Sequence, residues 1–273
     1  MKTTNPVLSR LGQAAEQGRS AGYGPYGPPA QPGYGQPYGA SPGYPAAPPD
    51  VRPMTMDDVV VKTVTLLGVT GLSAVAAWNV VPDRLLYPVW IGAMLVGLVL
   101  GLVLSFMRMV NPALAVVYAV VEGAFLGLAS RYFNDILGYS GIVLQAVVAT
   151  FGVFFLMAFL YRARVIRATP RFRKIMYAVL MGLAGVVLIN LVLWLFGVDT
   201  GLRSNGALGI GFSLVCIVVA SLSLILNFDQ IEQATRMGLP QRYAWTAAFG
   251  ILVGLIWLYI EILRLLSFLQ SDD

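Results

Sequence analysis

From about residue 58 onward, the chain is a series of apolar runs separated by short polar or proline-containing breaks. Each run is about 20 residues long, the length of helix that crosses the ~30 Å hydrocarbon core of a bilayer. Backbone groups in lipid must bond internally, and the runs lack the alternation of barrel strands, so helices are predicted. We predict seven segments, at 59–81, 85–107, 112–132, 140–161, 175–197, 207–228 and 244–268.

The composition agrees with a membrane protein. Hydrophobic residues make up 58% of the chain and charged residues only 11%, whereas a soluble domain has roughly 25% charged residues. So few polar residues cannot cover a water-facing surface, which argues against a soluble enzyme or a nucleic-acid-binding domain. Cys216 is the only cysteine in the sequence, so a disulfide-rich secreted scaffold is excluded as well.

Residues 1–57 differ from the rest of the chain because they contain no long apolar run. Within them, positions 22–49 consist almost wholly of Gly, Pro, Tyr, Ala and Gln. Such a segment has little apolar surface to bury, so we expect a disordered tail over 1–57 and a seven-helix transmembrane domain over 58–273. The polar stretch after the basic start predicts that no signal peptide is present.

The basic residues predict the orientation. If the tail and every second loop share one side, that side carries 14 Lys and Arg residues and the other side carries four. The positive-inside rule then predicts a multi-pass cell-membrane protein with a cytoplasmic N-terminus. Seven crossings would place the C-terminus outside, whereas a re-entrant last segment would leave both ends in the cytoplasm.

The most basic loop lies between the fourth and fifth segments. It suits contact with anionic lipid headgroups or with an acidic partner protein, although simple topological anchoring explains it equally. Its basic residues are Arg162, Arg164, Arg167, Arg171, Arg173 and Lys174.

Small residues recur every four positions in several segments, most regularly in the third. Such ridges allow close approach of helix backbones, a main source of attraction between helices in lipid. They predict a compact bundle within one chain, with dimerisation through a ridge as the alternative. The third segment carries Ala115, Ala119, Gly123 and Gly127.

Three acidic residues fall within the apolar segments or at the end of one. Glu122 is ten residues into the third segment, about 15 Å deep. Glu261 lies in the seventh segment with Arg264 one turn away, and Asp229 closes the sixth. A carboxylate at the bilayer centre costs roughly 2.5–3.5 kcal/mol, so such residues commonly line ion paths, relay protons or pair with a cation. A purely structural role is the alternative.

Three classes of intramembrane protease do not fit the sequence. The chain has no histidine, which rules out site-2-type metalloproteases and the Ser–His dyad of rhomboid-type proteases. Presenilin-type aspartyl proteases need Tyr-Asp and Gly-x-Gly-Asp, but Gly209-Ile-Gly211 is followed by Phe212 and no Tyr-Asp occurs. We therefore predict a protein that is not an enzyme and needs no cofactor.

Three motifs resemble those of the Bax inhibitor-1-like (TMBIM) family. Val121-Glu122-Gly123 with Gly127 resembles its Glu-Gly signature, and Phe228-Asp229-Gln230 followed by Ile231 resembles its Tyr/Phe-Asp-x-Gln-x-Ile motif. Leu258-Tyr-Ile-Glu261 with Arg264-Leu-Leu is similar to the closing helix. The low-complexity tail before a basic seven-helix core looks like an actinobacterial branch of this family.

The resemblance implies six helices around a hydrophobic seventh and a pH-sensitive calcium leak controlled by carboxylates on helices six and seven. Asp229 matches the acid of helix six. If Leu-Tyr-Ile-Glu is aligned with the closing helix of the family, Glu261 is the partner of Asp229. If the segment is aligned without a gap, Gly254 occupies the partner position instead. A direct pair with Glu261 would require a bent or re-entrant seventh segment. Bacterial relatives are also linked to membrane-bound proteolytic quality control.

The sequence therefore yields two functional hypotheses. In the first, Ca²⁺ or protons pass along a path lined by Glu122, Asp229 and Glu261, with Ca²⁺ held at Asp229 and Glu261 because carboxylate oxygens suit it. Carboxylates can also sense pH without histidine, and Arg108 or Arg236 would hold Asp229 in a closed state. In the second, the protein does not conduct, the buried acids fix helix packing, and a membrane protease or other membrane protein is its partner.

Overall fold

The computed structural model of the protein describes residues 52–198, 201 and 206–271. These residues form seven helices long and apolar enough to cross a membrane, which confirms the predicted all-α bundle. The predicted disordered tail falls mainly on residues 1–51, which lie outside the described residues. The helices are α1 Met56–Val80, α2 Leu86–Phe106, α3 Pro112–Arg131, α4 Ile142–Arg162, α5 Pro170–Leu195, α6 Ala207–Arg236 and α7 Tyr243–Gln270.

The helix ends follow local sequence signals at most of the predicted breaks. The Asn111 side chain accepts a hydrogen bond from the backbone N–H of Ala113, and Pro112 occupies the first turn of α3, where a missing N–H costs nothing. The main difference from the prediction is α6, which ends at Arg236 and not near 228. Hydropathy stops at the first polar residues, but the helix continues because those polar side chains find partners.

The described chain begins with a short extended segment that is tied to the α6–α7 loop. Pro53 and Pro240 form an antiparallel bridge, and the N–H of Met54 donates to the carbonyl of Leu239 at 2.7 Å. The Met54 side chain is buried. Thr55 then caps α1 in a reciprocal pair of hydrogen bonds with Asp58. These contacts anchor the start of α1 at what we call the N-terminal end of the bundle, where α1, α3, α5 and α7 begin.

Helix α7 is the core of the bundle. In its most apolar stretch 61% of the residues are buried, against 11% in the corresponding stretch of α2. It packs against α1, α3, α4 and α6, while α2 packs on α3 and α5 on α6. It is one continuous helix from Tyr243 to Gln270, so the re-entrant alternative for the last segment was wrong. The fold therefore places a hydrophobic seventh helix at the centre.

The tightest contact between helices joins α1 and α3. A Cβ atom added at Gly123 would overlap the carbonyl of Thr70, and one added at Gly127 would overlap the carbonyl of Ala74. The Ser73 hydroxyl donates to the carbonyl of Val120 at 2.6 Å across the same contact. Two of the small residues predicted from the sequence thus serve packing within the chain.

At the opposite end of the bundle, Arg131 joins α3 to the last turn of α1. Its guanidinium donates to the carbonyls of Trp78 and Val81 and pairs with the Asp83 carboxylate. These carbonyls have no partner within α1, because the last turn of any helix leaves its carbonyls free. Arg131 therefore satisfies the end of α1 where it reaches the membrane surface.

We predict that Gly127→Ala destabilises the protein by about 1–3 kcal/mol, since the added methyl group overpacks the α1–α3 contact. The matched control is Gly182→Ala in α5, where an added Cβ meets nothing within 4 Å. That control should be neutral or slightly stabilising, because alanine favours helix. Thermal unfolding of both variants in detergent measures the difference, and equal melting temperatures would contradict the close contact.

Candidate functional site

Asp229 forms an ion pair with Arg173. The pair joins α6 to the first turn of α5 near the N-terminal end of the bundle, with 3.3 Å between Nε of Arg173 and the Asp229 carboxylate. Gln233, one turn further along α6, donates to the same carboxylate at 2.6 Å and accepts from Arg173 at 3.4 Å. Asp229, Arg173 and Gln233 are called the Asp229 cluster below.

The cation at Asp229 differs from the two that we expected. Arg236 pairs with Glu232, one turn earlier on α6, and Arg108 is exposed between α2 and α3. Arg236 lies seven residues from Asp229 on the same helix, so its side chain reaches the nearer carboxylate first. In this structure the cation at Asp229 is therefore Arg173 and not Arg108 or Arg236. Sequence reasoning placed Arg173 in the lipid-facing set because it lies in a basic loop.

A second polar contact lies beside the Asp229 cluster. The Tyr161 hydroxyl at the end of α4 donates to the Glu232 carboxylate, which also accepts from Arg236. The end of α6 is thus tied to α4 by one carboxylate and to α5 by another. Sequence reasoning missed Tyr161 and Gln233, and the only signal for Gln233 was its spacing of four residues from Asp229.

The remaining basic residues of the α4–α5 loop behave differently from Arg173. Ala168 is buried in this loop, and its carbonyl accepts a hydrogen bond from Nε of Arg173 at 3.1 Å, which turns that side chain toward α6. The other five basic side chains face outward and form a basic surface at the N-terminal end of the bundle. The exposed residues are Arg162, Arg164, Arg167, Arg171 and Lys174.

Glu122 is buried between α3 and α2. Its polar neighbour is Tyr118, which lies one turn earlier on α3. On α2 it faces Gly97, where an added Cβ would lie 2.6 Å from Oε1 of Glu122. A glycine at 97 therefore makes the room for the carboxyl group. The prediction that Glu122 points into the protein agrees with this position, but its neighbour is an outer helix.

Glu261 is buried in the far half of α7 and pairs with Arg264 on the same helix. Nη1 of Arg264 lies 3.2 Å and 3.0 Å from the two carboxylate oxygens. Only 5% of the Glu261 side chain and 14% of the Arg264 side chain are exposed. The two charges neutralise each other inside the protein, which is the structural alternative that the sequence had left open for Glu261.

The three acidic residues do not meet in one site. The Asn227 amide donates to the carbonyl of Gly250 at 3.1 Å, which fixes the relative height of α6 and α7. Glu261 is eleven residues beyond Gly250 and Asp229 two residues to the other side of Asn227, so about 20 Å of helix axis separates the two acids. In this structure Asp229 and Glu261 are thus too far apart to hold one Ca²⁺ between them. The described residues contain no cluster of three or more potential metal ligands.

The residues of α7 that face Asn227 of α6 are glycines, and none of them is an acid. Cβ atoms added at Gly250 or Gly254 would contact the Asn227 side chain, and the one at Gly254 would also meet Leu224 at 3.1 Å. The gapless register had placed Gly254 opposite the helix-six acid. The structure thus pairs that acid with a cation from α5, and the α6–α7 contact beside it consists of an amide and two small residues.

The profile of the Bax inhibitor 1 like family matches residues 5–271, nearly the whole chain. The chain belongs to the Bax inhibitor 1 like family. No curated protein matches it. Family membership and seven apolar helices together make the chain a multi-pass membrane protein.

A double-mutant cycle tests the Asp229 cluster. We expect Asp229→Asn and Arg173→Gln to show a coupling energy of about 1 kcal/mol in detergent unfolding, a modest value because Arg173 is 37% exposed and water screens the pair. The control cycle combines Asp229→Asn with Arg171→Gln, which removes an exposed arginine of the same loop. Its coupling should be near zero, and equal coupling in both cycles would contradict the assignment of Arg173.

Proposed function

We propose that this member of the Bax inhibitor 1 like family is a pH-sensitive leak for Ca²⁺, or for protons or another cation, in the cell membrane. The observation that carries the proposal is the ion pair between Asp229 on α6 and Arg173 on α5. A carboxylate and a cation on neighbouring helices form a contact that acid weakens, because protonation removes one of the two charges. Such a contact can hold a closed state at neutral pH.

The proposed orientation places the Asp229 cluster near the cytoplasm. Counted along the sequence, the tail and the loops assigned to the same side hold 14 of the 18 Lys and Arg residues, and the positive-inside rule puts that side in the cytoplasm. Arg162, Arg164, Arg167, Arg171 and Lys174 are exposed there. They are suited to anionic lipid headgroups or to an acidic partner such as a membrane-bound protein.

In the proposed mechanism, a proton that reaches the Asp229 carboxylate releases Arg173. Gln233 then remains bonded to a neutral carboxyl group, and α5 loses its charged contact with α6. Glu122 and Glu261 are separate acids deeper in the bundle, the first beside Tyr118 and the second paired with Arg264. A contact worth about 1 kcal/mol shifts the closed–open equilibrium roughly fivefold, which is enough for a graded leak.

The alternative is a non-conducting membrane protein that regulates a partner, for example in membrane proteolysis or a stress response. The observation that favours it is the pairing of the buried Glu261 with Arg264 on the same helix. Acids neutralised in this way can fix helix packing without passing an ion. This alternative predicts no flux at any pH and effects of carboxylate-to-amide changes on stability alone.

We predict that Arg173→Gln raises Ca²⁺ entry into dye-loaded liposomes roughly fivefold at neutral pH, because the closed state loses an interaction of about 1 kcal/mol. The control Arg171→Gln removes the same charge from an exposed position nearby, so its flux should equal that of the unmodified protein. Asp229→Asn should give a flux that no longer responds to acid, since the group that accepts the proton is gone.

Two results would overturn the leak hypothesis. One is the absence of Ca²⁺ and proton flux at every pH with correctly folded protein in the liposomes. The other is flux that is the same in Arg173→Gln and in the unmodified protein, with a pH response that survives Asp229→Asn. The first result would favour the non-conducting alternative, and the second would remove the Asp229 cluster from the mechanism.

A further inference from the structure

A cleft of about 440 Å³ lies between α1 and α4, and its lining includes neither Asp229 nor Arg173. Its floor is formed by Leu252, Ile256 and Tyr259 of α7 and by Gly127 of α3. Its walls are α1, from Leu67 to Asn79, and α4. We call this space the α1–α4 cleft. Its volume falls within the ~300–1,000 Å³ range of small-molecule sites.

The α1–α4 cleft opens sideways toward the membrane. Gly71 and Val75 of α1 line one rim and are exposed, as are Val147 and Phe151 of α4 on the other rim. The floor residues from α7 are buried behind them. Because these helices cross the membrane, the open side of the cleft meets hydrocarbon, so the molecules that reach it are those of the bilayer.

The chemistry of the lining suits a hydrocarbon chain. The hydroxyl of Thr70 donates to the carbonyl of Leu66 at 2.9 Å, and that of Thr150 to the carbonyl of Ala146 at 2.7 Å. Ser130 and Tyr259 bond to each other at 2.6 Å. All four hydroxyl groups of the lining are therefore engaged, and the rest of the middle of the cleft is apolar. A polar ligand would lose its hydration there without compensation.

The length and the polarity of the cleft match one leaflet. From Leu67 to Asn79, α1 rises about 18 Å, slightly more than half of the ~30 Å hydrocarbon core. The end at Asn79 and Trp78 is polar and lies beside the contact of Arg131 with the Trp78 carbonyl and Asp83. Tryptophan and basic residues are typical of the headgroup level.

We propose that the α1–α4 cleft binds one acyl chain of a membrane phospholipid from the leaflet in which α1 ends. The chain lies along the floor formed by α3 and α7, and the glycerol and headgroup lie at Trp78 and Asn79. Glycine at 71 leaves the rim open, because a Cβ added there meets nothing within 4 Å. This site is independent of ion conduction and of the basic α4–α5 loop at the other end.

The test compares bulky substitutions that enter the cleft with ones that do not. Gly71→Leu places a side chain in the opening, whereas Gly68→Leu adds the same side chain on α1 outside the lining, again with nothing within 4 Å of its Cβ. Each full-length protein is reconstituted with palmitoyl-oleoyl phosphatidylcholine, re-extracted in detergent, and weighed by native mass spectrometry. This lipid carries no net charge, so the basic loop does not retain it by charge.

The unmodified protein and Gly68→Leu should each retain one phospholipid, and Gly71→Leu should lose it. A second pair of variants keeps the test valid if Gly71→Leu misfolds. Val147→Trp fills the cleft from the opposite rim, and its control Val148→Trp adds the same side chain outside the lining. The proposal is overturned if the unmodified protein retains no lipid, if both cleft-filling variants retain it, or if the protein leaves the membrane as a lipid-free dimer that buries this face.

Discussion

The cost of an unpaired charge in hydrocarbon governs the interior of this protein. An acid inside a spanning helix is costly unless it is neutralised, and two of the acids here are neutralised by different arginines. Asp229 pairs with Arg173 from another helix and Glu261 pairs with Arg264 on its own helix, whereas the neighbour of Glu122 is the uncharged Tyr118. These partners differ in what they can do: a pair within α7 is a fixed part of that helix, whereas a pair between α6 and α5 changes when the helices move.

The seven helices could be predicted from the sequence because each apolar run has the length that a helix needs to cross the bilayer. It failed at the end of α6, where Asn227, Asp229 and Gln233 interrupt the apolar run but remain helical through contacts with other helices. It also failed to name Arg173, since a basic residue in a loop looks the same whether it faces lipid headgroups or an acid. The separation of about 20 Å between Asp229 and Glu261 depends on how α6 and α7 are aligned along their axes. The hydropathy of the sequence carries no information about that alignment.

The position of α7 explains how the outer helices differ in their contacts. The central helix α7 is surrounded by α1, α3, α4 and α6. Each of these four helices packs one apolar face against α7. Helices α2 and α5 pack on the outside of this core, so α5 can shift with little loss of buried surface. The Asp229–Arg173 pair joins this outer helix to α6, so a modest charge interaction there affects the placement of a whole helix.

The central claim is that acid separates α5 from α6 by breaking the contact of Arg173 with Asp229. The most direct measurement is the distance between nitroxide labels at Lys174 and Met237, both exposed, by double electron–electron resonance in liposomes with Cys216 replaced by alanine. The account predicts a longer distance at acidic than at neutral pH, and the longer distance at both in the Arg173→Gln background. A single distance distribution that is independent of pH and of Arg173 would contradict it.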